Sequence, residues 1–123
     1  MLIYNHMVVD SLSDERRTDR LFHALADATR RDIVLRTFEG EHSVSALARR
    51  YPMSFAAVQK HVAVLERADL ITKHQRGRER IVRGRIDAVR DVNRLLDQLE
   101  ANWRDRMQRF GDVLAEPDEG EHQ

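Results

Sequence analysis

The sequence predicts a mainly α-helical domain of five helices with one small β-hairpin, and three observations support that expectation. Apolar residues recur at three- and four-residue spacings through most of the 123 residues. One stretch is β-prone instead: Ile71–Gln75 and Arg80–Ile86 flank the turn Arg76-Gly77-Arg78-Glu79. The last periodic segment, from Asp87 onward, is much longer than the others and carries its own apolar stripe.

The length suits a single domain with a modest core. We expect residues 1–12 to form a flexible N-terminal extension, 13–115 the folded domain, and 116–123 an acidic disordered tail. Met7 is an alternative start.

Each element has a local cause. Ser13–Ala26 has the stripe Leu21, Phe22, Leu25 and reads as the first helix. Asp27 is a good N-cap for a second helix over 28–38, burying Ile33, Val34 and Phe38 and ending near Gly40. Ser43 caps a short third helix with Val44, Leu47 and Ala48, which Tyr51-Pro52 stops. Ser54 caps the fourth, roughly 55–68, with Val58, Val62 and Leu65 inward and Phe55, Ala56, Gln59, Lys60 and Ala63 on the other face. Asp69 stands where a left-handed residue ends many helices, a conformation Asp tolerates better than most. The final helix places Val89, Val92, Leu96, Leu99, Trp103, Met107, Phe110 and Leu114 along one side, over roughly 40 Å at 1.5 Å per residue.

Composition removes several classes of function. With no cysteine there is no disulfide framework, thiolate metal site or cysteine nucleophile. No apolar run has the length of a membrane span, and the N-terminus lacks the basic start of a signal peptide. A cytoplasmic protein is expected. The six histidines form no i,i+4 pair on any expected helix. No Gly-rich phosphate loop or activated nucleophile is present, so we expect neither an enzyme nor a metal or other cofactor.

Net charge is zero, but it is unevenly distributed. Residues 30–85 hold 13 Arg/Lys and 6 Asp/Glu, a balance of +7, and the rest of the chain balances it at −7. A basic middle of this kind suits a phosphate-binding surface, or a merely solvated face. The third and fourth helices, joined by Pro52-Met53-Ser54, read as a helix-turn-helix, whose second helix enters the major groove N-terminal end first. Ser54 can cap and reach a phosphate, and free N–H groups at the helix start favour an anion. Ala56, Ala57 and Ala63 are small enough to allow close approach, Phe55 is a further candidate for DNA contact on that face, and Gln59 and Lys60 can reach adenine and guanine edges. Of the hairpin arginines, Arg76, Arg78 and Arg80 lie at or near the tip and suit a phosphate backbone or minor groove. An edge hairpin that uses charge against aggregation is the alternative for those arginines.

These residues resemble the ArsR-type winged-helix repressors. The similarity runs from about Leu21 to Ile86, through Leu25-Ala-Asp-Ala-Thr-Arg-Arg-Asp-Ile33, Val44-Ser-Ala-Leu-Ala48 and, most specifically, Met53–Ile71. One departure is Asp69 where glycine is usual. The resemblance implies a winged helix-turn-helix homodimer, dimeric through its first and last helices, that binds double-stranded operator DNA as a transcriptional repressor, autoregulation included. It also implies where a metal signal would bind: a Cys-x-Cys pair on the third helix, or Asp/His and His/Glu pairs on the last. Here the third helix reads Ser43-Val-Ser-Ala-Leu, the last has no histidine, and no effector is identified.

The expected dimer interface is Leu21, Phe22 and Leu25 with Leu96, Leu99, Trp103, Met107 and Phe110, because so long a 3.5-like stripe needs a partner surface; a ligand pocket is the competing use. His61 is expected to brace the fourth helix rather than to read bases. Arg30 and Arg31 suit phosphate contact or a solvated face equally. The rival reading is a protein-interaction module that pairs through its last helix and binds no specific DNA sequence.

Overall fold

The structure is a computed structural model that describes the backbone of residues 2–115 and the side chains from residue 14. The expected tail, 116–123, lies outside the described residues. The chain divides into two units, residues 1–92 and 93–123. Five helices and three strands run in the order α1 (Leu2–Leu25), α2 (Ala28–Glu39), β1 (His42–Ser43), α3 (Val44–Ala48), α4 (Phe55–Arg67), β2 (Ile71–Arg76), β3 (Glu79–Gly84) and α5 (Ile86–Ala115). No helix among the described residues is long and apolar enough to cross a membrane.

Side-chain caps start three helices where the sequence places them. Asp27 accepts from the Arg30 N–H at 3.0 Å, Ser43 from Ala46 at 3.0 Å and Ser54 from Ala57 at 3.1 Å. The end of α4 is equally specific. Asp69 has φ 60°, Leu70 N–H donates to Leu65 O, and Asp69 N–H donates to Glu66 O. Those two bonds make a Schellman motif with Asp in the place glycine commonly takes.

Several boundaries differ from expectation. α1 runs back to Leu2 rather than starting at Ser13, since neither Gly nor Pro interrupts residues 2–13. The backbone of 2–12 is therefore helical. α3 ends at Ala48, so the connection to α4 begins at Arg49 and is longer than Pro52-Met53-Ser54. β1 was not foreseen. Its two residues have no periodicity to read, and they are strand only because they pair with β3, His42 with Val82 and Ser43 with Ile81.

The sheet is antiparallel in the order β1-β3-β2. The hairpin closes through Gly77 (φ 62°) and Arg78, the positive-then-negative φ pattern of a type II′ turn, which favours Gly first.

The core of the first unit contains Ile33, Leu47, Val58, Val62, Leu65, Leu70, Ile71 and Val82, all fully buried. Leu21 and Ala24 of α1 and Ala88 and Val92 at the start of α5 join it. Leu21 is 3% exposed, so it packs inside its own subunit and is not available to a partner. Leu25 is half-buried against the same core, and Phe22 alone of that expected trio stays exposed. Phe38 is 41% exposed, and Thr37 takes its expected inward place, donating to Val34 O at 2.6 Å. The Phe38 ring lies over Gly84 instead: a Cβ there would come within 2.6 Å of it, so only glycine permits the approach.

Candidate nucleic-acid interface

The reading face of α4 is open. Ser54, Phe55, Ala56, Gln59 and Lys60 are exposed, Ala57 is half-buried, and Val58, Val62 and Leu65 on the opposite side fill the core. A groove of about 460 Å³ separates this face from the hairpin; Phe55, Gln59, Lys73, Arg78, Glu79 and Arg80 are among its lining residues. Arg78 and Arg80 are exposed and form no ion pair among the described residues, so their charge is available to an anion.

Arg76 is placed differently. It donates to Glu41 at 3.1 Å, and Arg83 donates to the same carboxylate. The Arg83 hydrogen bond is the largest influence holding the Glu41 carboxyl below the usual carboxylate range; Arg76 adds to it. Of the three tip arginines named from sequence, the structure brings Arg78 and Arg80 to the groove and ties Arg76 to an acid 35 residues away. Glu41 and Lys73 were missed. Lys73 lines the groove and pairs with Glu66 of α4 at 3.3 Å. Strand alternation around Val82 was the available signal for Lys73, and none existed for Glu41.

Polar contacts hold α4 in place. Tyr51, within the connection between α3 and α4, donates to Asp32 of α2 at 2.6 Å, and Arg36 donates to the same carboxylate at 2.8 Å. Burial, helped by the Asp32 bond, pushes the Tyr51 hydroxyl up to about 12. The Tyr51 hydrogen bond, then that of Arg36, holds Asp32 below its ordinary range. His61 meets the Arg30 guanidinium at 3.2 Å through Nδ1. Arg30 also donates to the Ala24 and His23 carbonyls at the end of α1, and Arg31 donates to Leu25 O. Arg30 is thus structural, and His61 braces α4. Because arginine only donates, His61 Nδ1 is the acceptor in this contact.

In the second unit, α5 exposes Leu96, Leu99, Trp103, Met107 and Phe110, five of the expected interface residues, with Val113 and Leu114 beyond them. A shallow depression of about 850 Å³ lies along Trp103, Met107, Phe110 and Val113, edged by Arg106 and Arg109. Among the described residues, no cluster of three or more His, Asp or Glu is placed to hold a metal ion.

A capped helix presented beside a hairpin, with a short helix before it and a third strand closing the sheet, defines a winged helix-turn-helix DNA-binding domain. Comparison with known proteins agrees. A helix-turn-helix domain family matches residues 25–74. The HTH-type transcriptional regulator Rv2034 of Mycobacterium tuberculosis is 43% identical over 70 residues, which span 57% of this chain and 65% of that protein. An ArsR-like transcriptional regulator from Rhodococcus sp. RHA1 superposes with TM-score 0.74 at 28% identity, over 86% of this chain and 99% of that one. A crystallised ArsR family transcriptional regulator gives TM-score 0.70 at 30% identity, over 73% of this chain and 93% of that one. The chain belongs to the ArsR family of winged helix-turn-helix transcriptional regulators.

Proposed function

We propose that the chain is a homodimeric repressor that binds a palindromic operator, with α4 of each subunit in one major groove and the wing on the flanking backbone. The observation that carries this reading is the exposed face Ser54, Phe55, Ala56, Gln59, Lys60 beside a groove that Arg78 and Arg80 line. Small residues at the start of the helix permit close approach, and the two longer ones carry the donors that base edges need. Ala57, half-buried, contributes backbone proximity more than a side-chain contact. Repression follows from occupying promoter DNA.

Dimerisation is supported by α5, where Leu96, Leu99, Trp103, Met107 and Phe110 expose more apolar surface than an isolated helix face in water would keep. A second copy covers such a stripe by self-complementarity. From α1, Phe22 is retained as a candidate for the interface; Leu21 is not.

The test is selection of genomic fragments by the full chain, followed by footprinting. An inverted repeat with half-sites about one helical turn apart is expected. Uniform retention of unrelated fragments would instead favour the interaction-module reading.

A further inference from the structure

We infer that Glu41 is a built-in counter-charge that holds two wing arginines away from DNA and so limits the wing's grip on non-operator sequences. The inference rests on the wing being a DNA contact. The hairpin register sorts its arginines by face. Lys73 pairs with Val82, and Lys73 reaches Glu66, so that face of the sheet looks toward α4. Side chains alternate along a strand, so Arg80 shares this face, while Arg76 and Arg83 lie on the other.

On that other face Glu41 precedes β1, next to the His42–Val82 pair, which sets it opposite Arg83. It accepts from Arg83 Nε and, at 3.1 and 3.4 Å, from Arg76 Nη2. Arg76 is the last residue of β2, beside the turn, and its guanidinium is drawn toward Glu41. One carboxylate therefore occupies two of the cations that would otherwise add to a phosphate-binding tip. All three side chains are roughly half exposed, so the pairing is weak in water and its removal does not endanger the core. Phosphate attraction is independent of sequence, so an internal acid that competes for wing arginines lowers non-specific binding while leaving the α4 face untouched.

The test measures affinity for a random-sequence duplex by fluorescence anisotropy, from about 50 to about 300 mM salt, for the unmodified chain, Glu41→Gln, Arg76→Ala, the double variant and Arg78→Ala. One added phosphate contact steepens the salt slope by about 0.9, which at about 0.15 M salt corresponds to about fivefold tighter binding. Glu41→Gln should show both effects, and Arg76→Ala alone should show neither. The double variant should keep only the part of the gain that the released Arg83 supplies, and so fall between the unmodified chain and Glu41→Gln. Unchanged or weaker binding by Glu41→Gln overturns the inference, as does a shallower slope for Arg76→Ala alone. Arg78→Ala separates the two levels. If it lowers the slope while Glu41→Gln does not raise it, only the role of Glu41 fails. If Arg78→Ala also leaves the slope unchanged, the wing is not a DNA contact and both readings fall. A repeat with Glu41→Ser, which removes the charge differently, must agree in sign.

Discussion

Tyr51→Phe tests how the helix-turn-helix is anchored. The substitution keeps the ring and removes only the hydroxyl that donates to Asp32 at 2.6 Å. A hydrogen bond of this kind contributes about 1 kcal/mol net; because Asp32 is partly solvated, we take that neutral-pair value rather than the larger one for a buried charge. For a chain of this length the loss corresponds to a fall in Tm of about 4 °C near neutral pH. The pH dependence makes the test sharper. The Tyr51 hydroxyl stands at about 12 in the fold, against about 10 in an unfolded chain. A raised value means the folded state prefers the neutral form, so this stability is complete below pH 10 and is lost between pH 10 and 12. Above pH 10 the unmodified chain loses about 1.4 kcal/mol per pH unit relative to Tyr51→Phe, so the two should become equally stable near pH 11. Asp32 works in the opposite sense. Its lowered value gives stability that is present above about pH 4 and lost as pH falls through the folded value. Tyr51→Phe should therefore also be less sensitive to acid. The assay is thermal unfolding by circular dichroism at one fixed protein concentration, since association would shift Tm. Equal melting of the two proteins at pH 7, or a gap between them that persists unchanged to pH 11, would refute the anchoring role.

Other predictions concern the two surfaces. Gln59→Ala and Lys60→Ala should each relax base preference at one operator position, costing about 1–3 kcal/mol of discrimination; a binding-site selection giving the same consensus for both variants would contradict that assignment. Arg78→Ala should weaken binding to every sequence and reduce the salt slope by about one, as read by anisotropy titrations. Trp103 is 62% exposed; covering that surface removes about 120 Å² from water, about 3 kcal/mol per subunit as an upper bound. Trp103→Ala should then raise the dimer dissociation constant by about a hundredfold or more, measured by sedimentation velocity across a concentration series, and a monomeric unmodified chain would end the dimer proposal. Ser54→Ala removes the cap of α4 and should cost about 1 kcal/mol, with a thermal midpoint within error of the unmodified chain counting against it.

What was legible in the sequence is what local chemistry decides. Asp27, Ser43 and Ser54 cap the helices they were expected to cap, because the bond runs to an N–H three residues on. Val58, Val62 and Leu65 point inward because one helical period fixes all three. Gly77 turns the hairpin and Asp69 ends α4 through backbone conformations that few residues accept. The misses are tertiary. β1 exists only through pairing with a strand nearly forty residues later in the chain. Phe38 and Thr37 exchange roles because Gly84, far along the sequence, leaves room for a ring. Leu21 and Phe22 are adjacent in one apolar stripe, and only the packed core decides which of them it keeps. Arg76 looks like Arg78 in sequence, and Glu41 makes them different.

The same residues explain how a helix can be exposed for reading and still be held rigidly. The outer face of α4 is exposed among the described residues along Phe55, Ala56, Gln59 and Lys60, so its orientation must be set from behind and from its ends. Behind lie Val58, Val62 and Leu65, which resist translation but little resist rotation about the helix axis, since apolar contact is not directional. Directional contacts supply that restraint. Tyr51 and Asp32 anchor the approach to the N-terminus, His61 and Arg30 tie the middle to α1 and α2, and Glu66 and Lys73 tie the last turn to the wing. Three polar ties at three heights along one helix fix its rotation, which decides whether Gln59 and Lys60 meet base edges or phosphates. Removing any one tie should therefore affect operator discrimination more than affinity for random DNA, since phosphates tolerate a rotated helix and base edges do not.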